Sequence, residues 1–291
     1  MKKLILHIPD DHFKMVRYLG AYTSRKKKHT RYVEKLTKKL KDNIEGVKAV
    51  LSAEDILVYG FLTGDGTECA IVYTDGMVDK ALLGDLAARP LSKLTPENKE
   101  KGFTPEEVKQ TLLFPELKEE TQLQNIFAEV LDGNSLLLVD GLETGLIVGA
   151  KLLPVRTVME PPTDIAVKGP REGFIEDIKT NMALLRKRLK TPDLKFELQK
   201  AGKRSQTNIA ICYLDGICDE KVKKEVAARI GEIDIDCIPD SSYVAAFIAP
   251  RKHSIFREVG TTEKPDILAA KMAEGRVGIL VDGSPIALTV P

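Results

Sequence analysis

The chain contains no tryptophan, only four histidines and four cysteines, and a formal net charge of just +1 over 291 residues. Each shortage removes a class of function. A near-neutral total offers no broad field to attract nucleic acid, so no nucleic-acid partner is expected. Cys69, Cys212, Cys218 and Cys237 show neither C-x-x-C spacing nor histidines at zinc spacing, and read as small apolar residues of a reducing compartment. His7, His12, His29 and His253 are scattered. Phosphate-loop, zinc-protease and nucleophile-elbow motifs are missing, and Gly64-Asp65-Gly66 lacks the further glycine and helix of a dinucleotide site. We therefore expect no catalytic residue, no metal and no cofactor. No run of about 18 apolar residues occurs, so this stretch spans no membrane by itself, and the apolar patch in MKKLILHIPDDHF is too brief for a secretory signal. Val277 to Pro291 is apolar to the last residue, as expected of the cut edge of a longer protein.

What the chain does have is a duplication. Ala70-Ile-Val-Tyr-Thr-Asp-Gly-Met-Val-Asp79 matches Ala210-Ile-Cys-Tyr-Leu-Asp-Gly-Ile-Cys-Asp219 at six of ten positions. Glu129 to Gly141 answers Lys271 to Gly283, and Asp75 precedes Asp140 by 65 residues where Asp215 precedes Asp282 by 67. Asp55 and Asp193 each open a strand behind a long helix. A repeat of this length implies two similar units. Helical spacing runs over Tyr32 to Leu51, Met77 to Leu86 and Leu123 to Leu131. Apolar runs at Asp55 to Leu62, Cys69 to Thr74, Ser135 to Val139 and Glu143 to Val148 read as strands, with the Asp-Gly pairs as turns. The expected fold is α/β: two similar α/β lobes with mixed or antiparallel small sheets, separated by a cleft, in the manner of a bilobal solute-binding protein. The lobes are expected at residues 1–150 and 151–291, the latter opening with a linker at 151–173 that holds Pro154, Pro161 and Pro162.

The stretch Val167–Leu189 joins the halves and repeats in neither. Pro170 fixes its own φ and pushes Gly169 out of the helical region, so a helix starts only after this turn. Phe174, Ile178, Met182, Leu185 and Leu189 then form one apolar stripe, with acidic residues first and Arg186, Lys187 and Arg188 last, complementing the helix dipole. Left over are Arg171 and Glu172, charges held on a Gly-Pro-x-x-Gly turn between the lobes, where small-molecule sites are favoured. The candidate ligand-binding set is Gly169, Pro170, Arg171, Glu172, Gly173 and Asn181. Arg171 would donate to a carboxylate or hydroxyl, Glu172 would accept from an amino group, and Asn181 would add a neutral hydrogen bond if it faces the cleft. The basic run Arg25–Arg31 reads as a solvated segment or a patch for an anionic surface.

Gly169-Pro-Arg-Glu-Gly-Phe174, followed by Thr180-Asn181, Leu184, Arg186 and Arg188, resembles the signature of the A subunit of bacterial spore germinant receptors. Glu274 to Pro285 and Glu263-Lys-Pro-Asp266 are similar to two further segments of that family, and the likeness runs from about Lys35 to the end. The resemblance implies a soluble N-terminal part followed by membrane helices, working with B and C subunits and other A subunits in the spore inner membrane, with this part on the cytoplasmic or spore core side. It implies that small nutrients, amino acids or sugars, are the trigger. Two readings stay open: a module that senses a nutrient in the interlobe cleft, or a coupling and assembly domain in which the cleft is filled and Arg171 and Glu172 form ion pairs.

Overall fold

The computed structural model describes residues 35–98, 102–152, 170–249 and 258–291. Gly169, the basic run Arg25–Arg31, the four histidines and Pro154, Pro161 and Pro162 lie outside the described residues. Within them the chain builds one plan twice. The first lobe runs α1 (Leu40–Val50), β1 (Ile56–Leu62), β2 (Glu68–Thr74), three consecutive helical turns at α2 (Lys80–Leu83), Gly84–Ala88 and α3 (Arg89–Leu91), then α4 (Pro105–Thr111), β3 (Leu117–Glu120), α5 (Leu123–Leu131), β4 (Ser135–Val139) and β5 (Gly145–Val148). The second runs α6 (Ile178–Arg188), β6 (Leu194–Ala201), β7 (Thr207–Leu214), α7 (Glu220–Gly231), α8 (Ser241–Ile248), β8 (Gly260–Thr262), α9 (Pro265–Ala273), β9 (Val277–Val281) and β10 (Ala287–Val290).

Strand order is β1-β2-β4-β5-β3 in one sheet and β6-β7-β9-β10-β8 in the other, with every pairing antiparallel. Register is duplicated as well as order. Ile71 stands opposite Leu137 and Ala70 opposite Leu138 in the first sheet, as Ile211 stands opposite Ile279 and Ala210 opposite Leu280 in the second. A one-residue slip would send every side chain to the other face, so shared register means shared cores.

Both faces of each sheet are covered, which explains why the central strands read as unbroken apolar runs rather than alternating ones. On one face of the first sheet Ala70, Val72, Leu136 and Leu138 pack with α1 and α5; on the other, Cys69, Ile71, Leu137 and Val139 pack with Leu83, Leu91 and Val108. The second sheet repeats this, with Ala210, Cys212 and Leu280 under α6 and α9, and Ile209, Ile211 and Ile279 under α7 and α8. The three buried cysteines thus serve as small apolar residues, and burial pushes the Cys69 thiol up to about 12.

The Asp-Gly pairs are turns, and Gly76, Gly141, Gly216 and Gly283 all adopt the positive φ that glycine tolerates best. Their aspartates do more than turn the chain. Asp140 accepts from Leu40 N at 2.8 Å and Asp282 from Ile178 N at 3.4 Å, so each caps the first helix of its own lobe from about a hundred residues away. These caps, with Asp177 accepting from Thr180 N at 2.7 Å at the start of α6, account for two departures from the expected helices. The first helix begins at Leu40 rather than near Tyr32, and α6 begins at Ile178, leaving Phe174 in extended chain ahead of it.

The repeat also reaches further back than the sequence comparison carried it, because α6 matches α1. Asn43 accepts from Thr37 N at 2.8 Å and donates to Thr37 O at 2.7 Å; Asn181 accepts from Ile175 N at 2.9 Å and donates to Ile175 O at 2.5 Å. Each buried amide holds the chain leading into its helix by both ends, standing in for a strand partner. Removing either leaves two backbone groups unpaired, each costing about 1–3 kcal/mol. Asn43→Ala and Asn181→Ala should therefore each lower unfolding free energy by about 2–3 kcal/mol in urea titrations. A loss within the error of the titration would show that the clamp holds nothing.

Candidate functional site

The helix α6 carries the contact between the lobes. Ile178, Met182 and Leu185 point into their own core, and Arg186, on the flank of that stripe four residues after Met182, points out of it towards the first lobe. Its side chain is 1% exposed and its partner Asp55 is 2% exposed. Nε donates to Asp55 Oδ2 at 3.0 Å and Nη2 to Oδ1 at 2.8 Å, a forked pair across the seam. Nη1 donates to Thr191 O at 3.0 Å and Leu194 O at 3.1 Å, in the turn that leads from α6 into β6. All five N–H groups therefore have acceptors, and the guanidinium lies 5.1 Å from the centre of the Phe196 ring. Burial pushes the Asp55 carboxyl up from its ordinary range, and the charge and hydrogen bonds of Arg186 work against that push.

Around this pair further contacts between described residues cross the seam. Lys195 reaches from β6 to Val50 O at 3.2 Å and Ser52 Oγ at 2.6 Å, satisfying the end of α1. Leu198 N donates to Glu54 Oε2 at 2.9 Å. Lys179 pairs with Asp75 at 3.1 Å, and Lys190 pairs with Asp132, which Lys151 also holds. Between them Gly76 lies against α6: a Cβ there would stand 3.0 Å from Lys179 O, and φ is +78°, so glycine is required twice over.

The described candidate ligand residues belong to the second lobe alone and do not reach across the seam. Gly169 lies outside the described residues. Pro170 O accepts from Lys264 Nζ at 3.5 Å, Gly173 is buried, and Phe174 N donates to Glu263 O at 2.7 Å, so the turn packs on the Glu263-Lys264-Pro265-Asp266 segment. Arg171 is exposed. Glu172 pairs with Lys187 and Arg188, which places the turn on the same last helical turn that carries Arg186. Asn181 faces Ile175 rather than a cleft, with both ends of its amide engaged. Among the described residues no group of three or more His, Cys, Asp or Glu is placed to hold a metal, and no helix is long and apolar enough to cross a membrane.

Sequence reasoning placed Arg186 among the dipole-complementing residues of a helix end and missed its role. The available signal was its position: a charge flanking an apolar stripe is buried only if something across the gap neutralises it.

The chain matches the model of the Bacillus/Clostridium GerA spore germination protein over residues 39–291. It belongs to the GerA family. Among relatives, it is 34% identical over 254 residues to spore germination protein KA of Bacillus subtilis, covering 86% of this chain and 46% of that one. It is 34% identical to spore germination protein B1 of the same organism over 87% of this chain and 52% of the other. The chain thus spans about half the length of these GerA relatives. Its fold is similar to the crystal structure of the N-terminal domain of the A subunit of the Bacillus megaterium spore germinant receptor GerK3, with a TM-score of 0.67 and 30% identity, covering 90% of this chain and 98% of that one. The expected kinship and the two-lobed α/β fold therefore both hold.

Two outcomes follow for this GerA domain. Removing one partner of a buried pair strands the other, so Asp55→Ala should cost about 3–5 kcal/mol of unfolding free energy. The double variant Asp55→Leu with Arg186→Met should cost clearly less than the sum of the two single changes, because the partners are coupled; simple additivity would deny the coupling. The second outcome concerns pH. Burial pushes the carboxyls of Asp75 and Asp132 up, but the hydrogen bonds and charges of Lys80 and Lys179 on the first, and of Lys151 and Lys190 on the second, outweigh it and hold both below the usual range. A carboxyl lowered in the fold contributes stability above its unfolded pKa and loses it as pH falls through the folded one. The contribution of Lys179–Asp75 and Lys190–Asp132 should be intact at neutral pH and fade below about pH 4, read as a smaller penalty for Asp75→Asn at acidic than at neutral pH.

Proposed function

We propose that this chain is the N-terminal domain of a spore germinant receptor A subunit, and that it works there as a coupling and assembly domain rather than as the nutrient site. The observation that carries this reading is the buried centre of the seam: Arg186 has every donor engaged, so its guanidinium has none left over for a small ligand. Two of the polar groups that a nutrient would use, Glu172 and Asn181, are likewise engaged by the chain itself. Energetics support it too. A nutrient that binds at millimolar strength supplies about 4 kcal/mol in all, no more than the roughly 3–5 kcal/mol set by unpairing a buried ion pair. One such ligand cannot open this seam by itself, whereas an assembly of several subunits can share the work.

In this reading the domain is held near the spore inner membrane by the remainder of the A subunit, on the cytoplasmic or core side, and contacts B and C subunits and other A subunits. Glu172 is the coupling element. It ties the Pro170–Gly173 turn to the last turn of α6, so a push on that turn is felt at Arg186 and hence at Asp55. The sensing reading keeps one supporting observation, the exposed Arg171 beside the cations Lys187, Arg188 and Lys264 that surround the turn.

Titrating the chain with amino acids and sugars while following backbone amide resonances separates the two. The coupling reading expects no clustered shifts into the tens of millimolar, and expects Arg171→Ala spores to keep the wild-type nutrient concentration for half-response. Shifts concentrated on Pro170 to Asn181, with a raised half-response concentration in those spores, would establish sensing instead.

A further inference from the structure

The two sheets share order and register, but their first edges differ in character. β1 closes the first sheet on one side as β6 closes the second. Asp75 N donates to Asp55 O at 2.7 Å and Thr63 N to Thr67 O at 3.0 Å, so by antiparallel alternation Leu57, Tyr59 and Phe61 exchange their backbone bonds with β2. Ile56, Val58, Gly60 and Leu62 turn theirs outward. Ile56 N is met by Ala53 O, but among the described residues nothing meets the N–H or C=O of Val58, Gly60 or Leu62.

Edge strands are ordinarily protected by charge or by cover. β6 has both: it carries Lys195, Glu197 and Lys200, its Leu198 N donates to Glu54, and its Leu194 O accepts from Arg186. β1, Ile-Leu-Val-Tyr-Gly-Phe-Leu, carries no charge, and its Tyr59 and Leu62 are 53% and 56% exposed. It also borders a hollow. Gly60 stands opposite Ala70 where Leu198 stands opposite Ala210, and a Cβ on Gly60 would meet nothing closer than Cys69 O at 3.9 Å. With no side chain there, a depression of about 320 Å³ opens between α1 and β1, lined by Leu40, Ile44, Gly60 and Leu62 and by the exposed Glu68. An apolar edge with unpaired backbone and a pocket beside it is the form that accepts an added strand.

We propose that the N-terminal segment Leu4–Ile8 of the same chain adds to this edge as a strand antiparallel to β1. Its apolar run, Leu-Ile-Leu-His-Ile, lies between Lys2-Lys3 and Pro9-Asp10-Asp11. Every pairing in both sheets is antiparallel, and that direction carries Lys2 and Lys3 to the end of β1 where Asp65 and Glu68 are exposed. The register that sets Leu6 opposite Gly60 places a leucine beside the hollow and sets Leu4 opposite Leu62 and Ile8 opposite Val58. Pro9 then falls opposite Leu57, where the ladder calls for no N–H. The connection is long enough. Residues 9–34 number 26 and extend up to about 85 Å. Lys35, bridged to Gln122 just after β3 on the opposite side of the sheet, stands roughly 20 Å from β1 at ordinary strand spacing. The docking is independent of whether the domain binds a nutrient.

Amide hydrogen exchange on the full 291-residue chain, followed by NMR, tests this. The expected result is that the amides of Val58, Gly60 and Leu62 exchange at least about tenfold more slowly than unstructured ones, with a nuclear Overhauser contact between the α-protons of Ile5 and Phe61. Leu6→Pro removes the N–H that Gly60 would accept and should return all three amides to the unstructured rate. The Ile71 amide in β2 should keep its protection in that variant, showing that the lobe is folded. A mixture of isotope-labelled and unlabelled chains identifies the occupant. Contacts confined to one chain support the proposal; contacts between chains would make the occupant a second copy and overturn it. Unprotected amides at Val58, Gly60 and Leu62 in the unaltered chain, or protection that survives Leu6→Pro, would overturn it as well.

Discussion

One guanidinium, buried between two bodies that could each bury a core alone, sets the geometry of this molecule. Moving a charge pair out of water costs several kcal/mol per ion, and the cost is offset only where geometry is close to ideal and every remaining donor is satisfied. Arg186 meets that condition through four separate features: the Asp55 carboxylate across the seam, the carbonyls of Thr191 and Leu194, and the face of Phe196. Shifting α6 by one residue along the first lobe would break the forked pair with Asp55, while the contacts with Thr191, Leu194 and Phe196 would move with the helix. The pair therefore contributes orientation more than net stability, fixing one arrangement of the lobes among the many that apolar packing alone would allow.

The duplication explains why such a device was needed and how it was made. Two lobes with the same strand order and register bury nearly the same kinds of side chain, so their cores give no direction to the contact between them. Direction came from divergence at a few positions. Lys48 and Arg186 occupy the same place in α1 and α6, yet the first is exposed and the second buried; Asp55 and Asp193 open equivalent strands, yet only Asp55 lies fully beneath the other lobe. Gly76 allows the backbone of α6 to approach, a feature its counterpart Gly216 shares.

Much of the fold was legible in the sequence because it is written in local terms. Apolar runs ending in Asp-Gly identify β2, β4, β7 and β9 and their turns, and the decapeptides at Ala70 and Ala210, alike at six of ten positions, announce the repeat. The start of α1 was not legible, because it has no local side-chain cap and its first amide is met by Asp140, 100 residues away, whereas α6 starts on its own Asp177 with Asp282 as a second acceptor. Asn181 was misleading for a related reason. A polar residue in an apolar helix looks like a ligand group until its counterpart Asn43 is seen making the same two bonds to backbone. Arg186 lay hidden among neighbours that complement a helix dipole, and its partner is 131 residues away. The Gly-Pro-Arg-Glu-Gly turn stands out in the sequence as a departure from the repeat. What sequence could not give was its anchoring, through Glu172, to the end of the helix that crosses the seam.

If the buried pair makes the two lobes a single cooperative body, they must open together. Native-state hydrogen exchange measures this directly at the centres of the two sheets, on the amides of Ile71 in β2 and Ile211 in β7. The account predicts one opening free energy with one denaturant dependence for both residues. Two distinct values, each with the shallower slope of half the molecule, would mean that the lobes unfold independently and that the pair between them does not join them.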